Sequence, residues 1–198
     1  RLPLGFIRAM NACRNIYRLL DENEPEQSGV HIPVTVEKIR ISGLYFDYDD
    51  RQIGLFQHLT VQFAGSNMIG IVGESGAGKS TLMKLIMRWY DWQAGQVYSS
   101  EVESRQVDKQ HLQHYFAYVP QVPQIFKQTI RENLLLGRLD VSDEEILALA
   151  EKCYMKDCIL VAPNGLDTLV EASDFSAGEG RRLELMRALL KQAVCYIF

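Results

Sequence analysis

The stretch GESGAGKST, residues 73–81, decides how this chain is read. It fits the pattern GxxxxGK[ST] through Gly73, Gly78, Lys79 and Ser80. Before it lies an apolar run ending in glycine, MIGIV at 68–72; after it lies TLMKLIMRWY at 81–90, with helical spacing. Strand, glycine-rich turn and helix in that order form a cradle for phosphate. Gly76 and Gly78 open conformations closed to residues with a Cβ, so that successive amides, those of Glu74, Ser75 and Ala77 among them, turn inward as an anion nest. The helix beginning near Lys79 adds its positive end, Lys79 brings a point charge to the β and γ phosphates, and the Ser80 hydroxyl, beside Thr81, is placed for Mg²⁺.

Working outward, MIGIV reads as a strand buried on both faces, and Leu82, Leu85, Ile86 and Trp89 form one apolar side of the following helix. Upstream the period is two: Val34, Val36, Ile39, Ile41, then Leu44, Phe46 and Tyr48, a turn at Asp49 and Asp50, and Leu55, Leu59, Val61 and Phe63. Two or three antiparallel strands are expected there. Downstream, residues 99–110 read as polar loop and YFAYV at 115–119 as a strand stopped by Pro120. Residues 143–158 and 180–191 read as helices, the first capped by Ser142 with Glu145 three residues on, and the final AVCYIF as a strand. Phe6, Met10, Cys13, Tyr17 and Leu20 give residues 1–20 an amphipathic helical stripe, and DENEPEQSG at 21–29 reads as a linker.

A composition of 47% hydrophobic, 23% charged and 10% aromatic residues is that of a globular domain and excludes collagen-like, coiled-coil and disordered classes. The formal charge of -4 argues against nucleic acid as the main partner. Residues 1–20 hold four arginines and no acid, leaving 17 basic against 25 acidic residues in the remaining chain. A basic end is joined to an acidic body, as at the cytosolic side of a bilayer. Cys13, Cys153, Cys158 and Cys195 lack metal or disulfide spacing and are read as reduced thiols in a cytosolic compartment. His111 and His114, at i and i+3 with no nearby third ligand, are read as a solvated face.

Further motifs, in order, resemble the nucleotide-binding domain of an ABC transporter of exporter type over about residues 34–198. FDY at 46–48 resembles the aromatic loop that stacks on adenine and nominates Tyr48. VPQ at 119–121, followed by IFKQTIRENLLLG, resembles the Q-loop and nominates Gln121 for Mg²⁺ and the attacking water. FSAGE at 175–179 stands where the family has LSGGQ, keeping Ser176 and Gly178 and replacing the first glycine by Ala177 and the glutamine by Glu179. The resemblance implies an α/β fold: a P-loop NTPase core, an N-terminal antiparallel β subdomain and a helical subdomain over about 130–190. It also implies that Ser176, Ala177, Gly178 and Glu179 meet a nucleotide held by a second ATPase domain.

RALLKQAVCYIF resembles the helix and strand leading into Walker B, whose Asp and catalytic Glu are expected just beyond Phe198. The implied function is an ATP-binding and ATP-hydrolysing module that powers export, with ATP and Mg²⁺ as cofactors. The second ATPase domain and the transmembrane domains are the implied partners, at the cytoplasmic face of a membrane. Residues 1–20 are then the cytosolic end of a membrane-domain helix and 21–33 a linker. Two other readings are a regulatory half that binds ATP without turnover, which the altered signature permits, and a soluble ABC ATPase without a transport role.

Overall fold

The computed structural model describes residues 38–48, 54–65, 68–136, 138 and 140–198. The helix expected at 1–20, the linker at 21–33, the start of the first strand at 34–37 and the turn at Asp49 and Asp50 lie outside these residues. β1 (Lys38–Phe46), β2 (Phe56–Ala64), β3 (Ala94–Ser99) and β4 (Val102–Glu103) form an antiparallel sheet in the order β2-β1-β3-β4. The apolar positions of β1 change parity midway, from Ile39 and Ile41 to Leu44 and Phe46, yet all four are buried. Gly43 explains this: at φ 57 it sits within the register shift between Ile41 and Leu44, and one extra residue returns the later side chains to the core face.

Beneath the sheet lies α1 (Lys79–Ile86), which buries Leu82, Leu85 and Ile86 against Ile41, Leu44, Trp92 and Val97. The chain then passes through α2 (Lys109–His114) to β5 (Phe116–Tyr118), which pairs in parallel with β8 (Cys195–Ile197). A second core joins α3 (Ile130–Leu135), α4 (Asp143–Lys152), α5 (Lys156–Val161) and α6 (Ala177–Leu190) through Leu134, Ile146, Ile159, Leu183 and Met186. The short pair β6 (Gln128–Thr129) and β7 (Leu169–Val170) flanks it. α3, α4 and α6 each start with a capping box, on Thr129 and Glu132, Ser142 and Glu145, and Ser176 and Glu179. Arg131 ties α3 to Asp143 of α4 and to Asp167.

Several expectations need correction. Residues 68–72 form no strand and are not buried; Met68 and Val72 are 102% and 93% exposed. An apolar run buried on both faces needs a strand on each side, and none among the described residues pairs with this one. The helix expected to 158 breaks after Lys152, where Tyr154 takes φ 54, and resumes as α5. Trp89 lies past the end of α1, partly exposed, with its ring edge-on to Tyr118 at 5.3 Å. The stretch 99–110 holds β4 and the start of α2 as well as loop. Among the described residues no helix is long and apolar enough to cross a membrane.

Candidate functional site

The phosphate-cradle motif adopts the backbone its glycines were expected to supply. Gly76 and Gly78 take φ of 84 and 88, in the left-handed region that side chains disfavour. At Gly78 a Cβ would also stand 2.8 Å from the Phe56 ring. As the N-cap of α1, Gly78 offers no side-chain acceptor, and the first turn of the helix carries no acid. The first amides of α1 are therefore not met by a side chain of the cap, whereas Asp108, Thr129, Ser142 and Ser176 cap α2, α3, α4 and α6. Positive partial charge is left facing outward at the loop.

Lys79, the first residue of α1, curls back over the loop, its Nζ donating to the carbonyls of Gly73 at 2.8 Å and Glu74 at 2.7 Å. Residues 73–77 and Ser80 are exposed. A cavity of about 850 Å³ opens there, lined by Asp47, Tyr48, Leu55, Ser75, Gly76, Gly78, Lys79, Ser80, Thr81 and Gln121. That size suits a small organic ligand. Residues far apart in sequence, Tyr48, the loop and Gln121, thus share one hollow. Lys79 is its one basic lining residue among those described.

Tyr48 is braced on several sides. Its hydroxyl is 2.8 Å from the Thr81 Oγ1, and its ring meets Phe46 at 5.0 Å and Tyr90 at 5.2 Å, edge to face. With 47% of the residue exposed, part of the ring borders the cavity. Asp47 is buried, and its Oδ1 accepts from the Tyr48 N–H at 2.8 Å.

The signature residues lie elsewhere. Ser176, Ala177, Gly178 and Glu179 open α6 and line no part of this cavity. Ala177 is helical and does not have a positive φ, so replacing glycine there costs no backbone strain. Glu179 turns back on the cap: its Oε2 accepts from the Ser176 N–H at 2.8 Å and hydroxyl at 2.6 Å. These bonds hold the Glu179 carboxyl below the usual carboxylate range.

Gln121 and the signature helix are linked by contacts the sequence did not announce. Arg181 donates to the Gln121 carbonyl at 3.0 Å, Arg187 donates to the Gln124 carbonyl at 3.0 Å, and the Gln124 N–H donates to Glu184 at 2.7 Å. One face of α6 therefore grips the backbone that follows Gln121. Gly180 suits the close approach, since a Cβ there would stand 3.3 Å from Pro123, a tight contact that the neighbour would have to relieve by a small shift. The signal that could have pointed here is Glu184, a carboxylate set between the buried apolar residues Leu183 and Met186. His111 hydrogen-bonds the Tyr115 hydroxyl at 3.1 Å, and no metal-holding cluster occurs among the described residues.

The family model described as ABC transporter matches residues 56–198. The chain is 34% identical over 203 residues to an uncharacterized ABC transporter ATP-binding protein, y4gM, of Sinorhizobium fredii, covering 100% of this chain and 34% of that protein. It is 35% identical over 164 residues to the mitochondrial iron-sulfur clusters transporter ATM1 of Debaryomyces hansenii, covering 81% of this chain and 23% of that one. A solved bacterial Atm1-family ABC exporter with ATP bound matches with a TM-score of 0.82 at 29% identity, over 96% of this chain and 34% of the other. The chain spans about a quarter to a third of the length of these relatives.

Proposed function

The chain belongs to the ABC transporter family, and from that membership we propose that it is the ATP-binding part of an exporter, powering movement of a substrate across a membrane. The observation that carries the reading is the single cavity lined by Tyr48, Lys79, Ser80 and Gln121. An uncapped helix N-terminus, left-handed glycines and one cation suit a polyphosphate, and an exposed aromatic ring on the same wall suits a base. The Ser80 hydroxyl and the Gln121 amide oxygen are hard oxygen ligands of the kind Mg²⁺ accepts beside phosphates. Bound Mg²⁺ neutralises charge on the β and γ phosphates. Lys79 then exchanges its carbonyl partners for phosphate oxygens, and the amides of residues 74–78 orient the chain of phosphates.

Calorimetry with Mg-ATP tests the base contact. Tyr48→Ala is expected to weaken binding by roughly 1 to 3 kcal/mol, the range for stacking of a base on an aromatic ring. Tyr48→Phe is expected to keep most of the affinity, because the hydroxyl is spent on Thr81. Equal losses for Phe and Ala would mean that the hydroxyl, not the ring face, is what matters.

The partners proposed are a second ATPase domain and the transmembrane domains, on the cytoplasmic side of the membrane. Ser176 and the amides opening α6 are assigned to the nucleotide of the second domain, since they stand away from this chain's own cavity. ATP drawn between two such faces closes the pair, and its hydrolysis reopens it.

Hydrolysis needs a group that orients or deprotonates water. Among the described residues the one carboxylate lining the cavity is Asp47, which is buried with its Oδ1 held by the Tyr48 N–H and its Oδ2 without a partner, and Gln121 has no base strength. The 198-residue chain is therefore expected to bind Mg-ATP and to release no phosphate above background at saturation. Turnover that vanishes in Lys79→Ala would overturn this and make a carboxylate of this chain the catalytic one. A nucleotide-binding regulatory role is the second reading, favoured by the Ser176 hydroxyl, whose proton goes to Glu179.

A further inference from the structure

From the side chain of Gln93 we infer a positioning residue for the base site: its carboxamide fixes the backbone that carries Tyr48, and so sets the stance of the ring toward the nucleotide base. The inference rests on the reading of Tyr48 as the stacking residue.

The ladder between β1 and β3 ends at Tyr45 opposite Ala94, with the Gln93 N–H donating to the Tyr45 carbonyl at 3.2 Å. Beyond that point the Gln93 side chain takes over. Its Oε1 accepts from the Asp47 N–H at 3.1 Å, and its Nε2 donates to the Asp47 carbonyl at 2.8 Å. A carboxamide presents the same donor and acceptor as a peptide unit, so this two-point contact extends the sheet by one residue pair without a strand. The extension is needed because Asp47 is buried, and polar groups there cost free energy unless bonded.

Gln93 itself stands on a held turn. The Trp92 indole N–H donates to the Gly95 carbonyl at 3.0 Å, the Arg105 guanidinium lies over the Trp92 ring at 4.6 Å, and Gly95, at φ 90, packs so tightly on β1 that a Cβ would fall 2.4 Å from the Gly43 carbonyl oxygen. This turn follows α1, the helix that opens with Lys79. The base wall and the phosphate cradle are thereby joined twice, through Tyr48 to Thr81 and through Asp47 to Gln93. Gln93 does not line the cavity, so its influence on a nucleotide passes through Tyr48.

The experiment measures the affinity of the full chain for Mg-ATP and for Mg-tripolyphosphate, which lacks a base, in the parent, Gln93→Ala, Tyr48→Ala and the double variant, with melting temperatures alongside. Gln93→Ala is expected to weaken Mg-ATP about three- to tenfold, the scale of one net hydrogen bond. Tripolyphosphate affinity is expected to stay within about twofold, because no phosphate contact changes. In the Tyr48→Ala background, Gln93→Ala is expected to add no further loss. If Tyr48→Ala weakens Mg-ATP and Gln93→Ala does not, the positioning role is wrong while the stacking reading stands. Parallel losses for ATP and tripolyphosphate would also overturn it, since that is general damage to the fold. Should Tyr48→Ala itself leave Mg-ATP affinity unchanged, both the stacking reading and the Gln93 inference fall.

Discussion

Lys79→Ala is expected to weaken Mg-ATP binding by about 2 to 5 kcal/mol, the usual cost of truncating one partner of a charge pair, or roughly 30-fold to several thousandfold. The lower half of that range is the better expectation here. Loop residues 73–77 are exposed, so water and salt screen the lysine more than in a closed site. The loss remains large because, among the described residues, Lys79 is the one basic residue lining the cavity. Lys79→Arg keeps the charge but not the compact ammonium that fits between the Gly73 and Glu74 carbonyls, and is expected to recover part of the affinity. Salt supplies a second readout. Raising ionic strength should weaken the parent more than Lys79→Ala, because the variant has lost the contact being screened. Calorimetric affinity of Lys79→Ala within twofold of the parent would sink the assignment of residues 73–81 as the phosphate site.

Much of this was legible from spacing. Gly76 and Gly78 declared the loop, and the left-handed φ at both is what an anion nest requires. Alternation gave β1, although its change of parity at Gly43 shows only once the bulge is seen. Ser142 with Glu145 marked the start of α4. Burial, by contrast, belongs to neighbours. MIGIV is apolar enough for a central strand, but periodicity describes what a segment could bury and not what lies beside it. The break at Tyr154 carries no glycine or proline, and the apolar series through Ile146, Cys153, Met155 and Ile159 runs across it. Side chains that complete a backbone ladder, as Gln93 does at 46 residues' separation, leave no periodic trace at all. The same holds for the grip of α6 on the backbone after Gln121, which carries the second large effect.

Glu184→Ala is expected to destabilise the chain by about 3 to 5 kcal/mol, the cost of stripping a buried charge of its partner. Glu184 is 3% exposed, and its Oε1 accepts from the Gln124 N–H and from Arg187 Nη1, both at 2.7 Å. Arg187 also donates to the Asn133 carbonyl at 2.7 Å, and burial pulls its guanidinium below the usual value against the opposing pull of Glu184. Asn133, fully buried, bonds both the N–H and the carbonyl of Phe126. Truncating Glu184 therefore leaves the largely covered Arg187 guanidinium without its counter-charge and the Gln124 amide without its acceptor. At about 2 to 4 °C per kcal/mol for a chain of this size, the melting temperature should fall by roughly 6 to 20 °C. Glu184→Gln keeps an acceptor for Gln124 and should lose less. Replacing Glu184 and Arg187 together by methionine removes both charges and should recover part of the loss, as paired buried ions often trade for apolar packing at little net cost. The loosening should also be local. Residues 121–133 are held to α6 through this network, so their amides should gain hydrogen exchange more than those of β1 and β3. A melting temperature within about 2 °C of the parent, or exchange that rises equally in the sheet, would show that α6 does not hold the segment following Gln121 through Glu184.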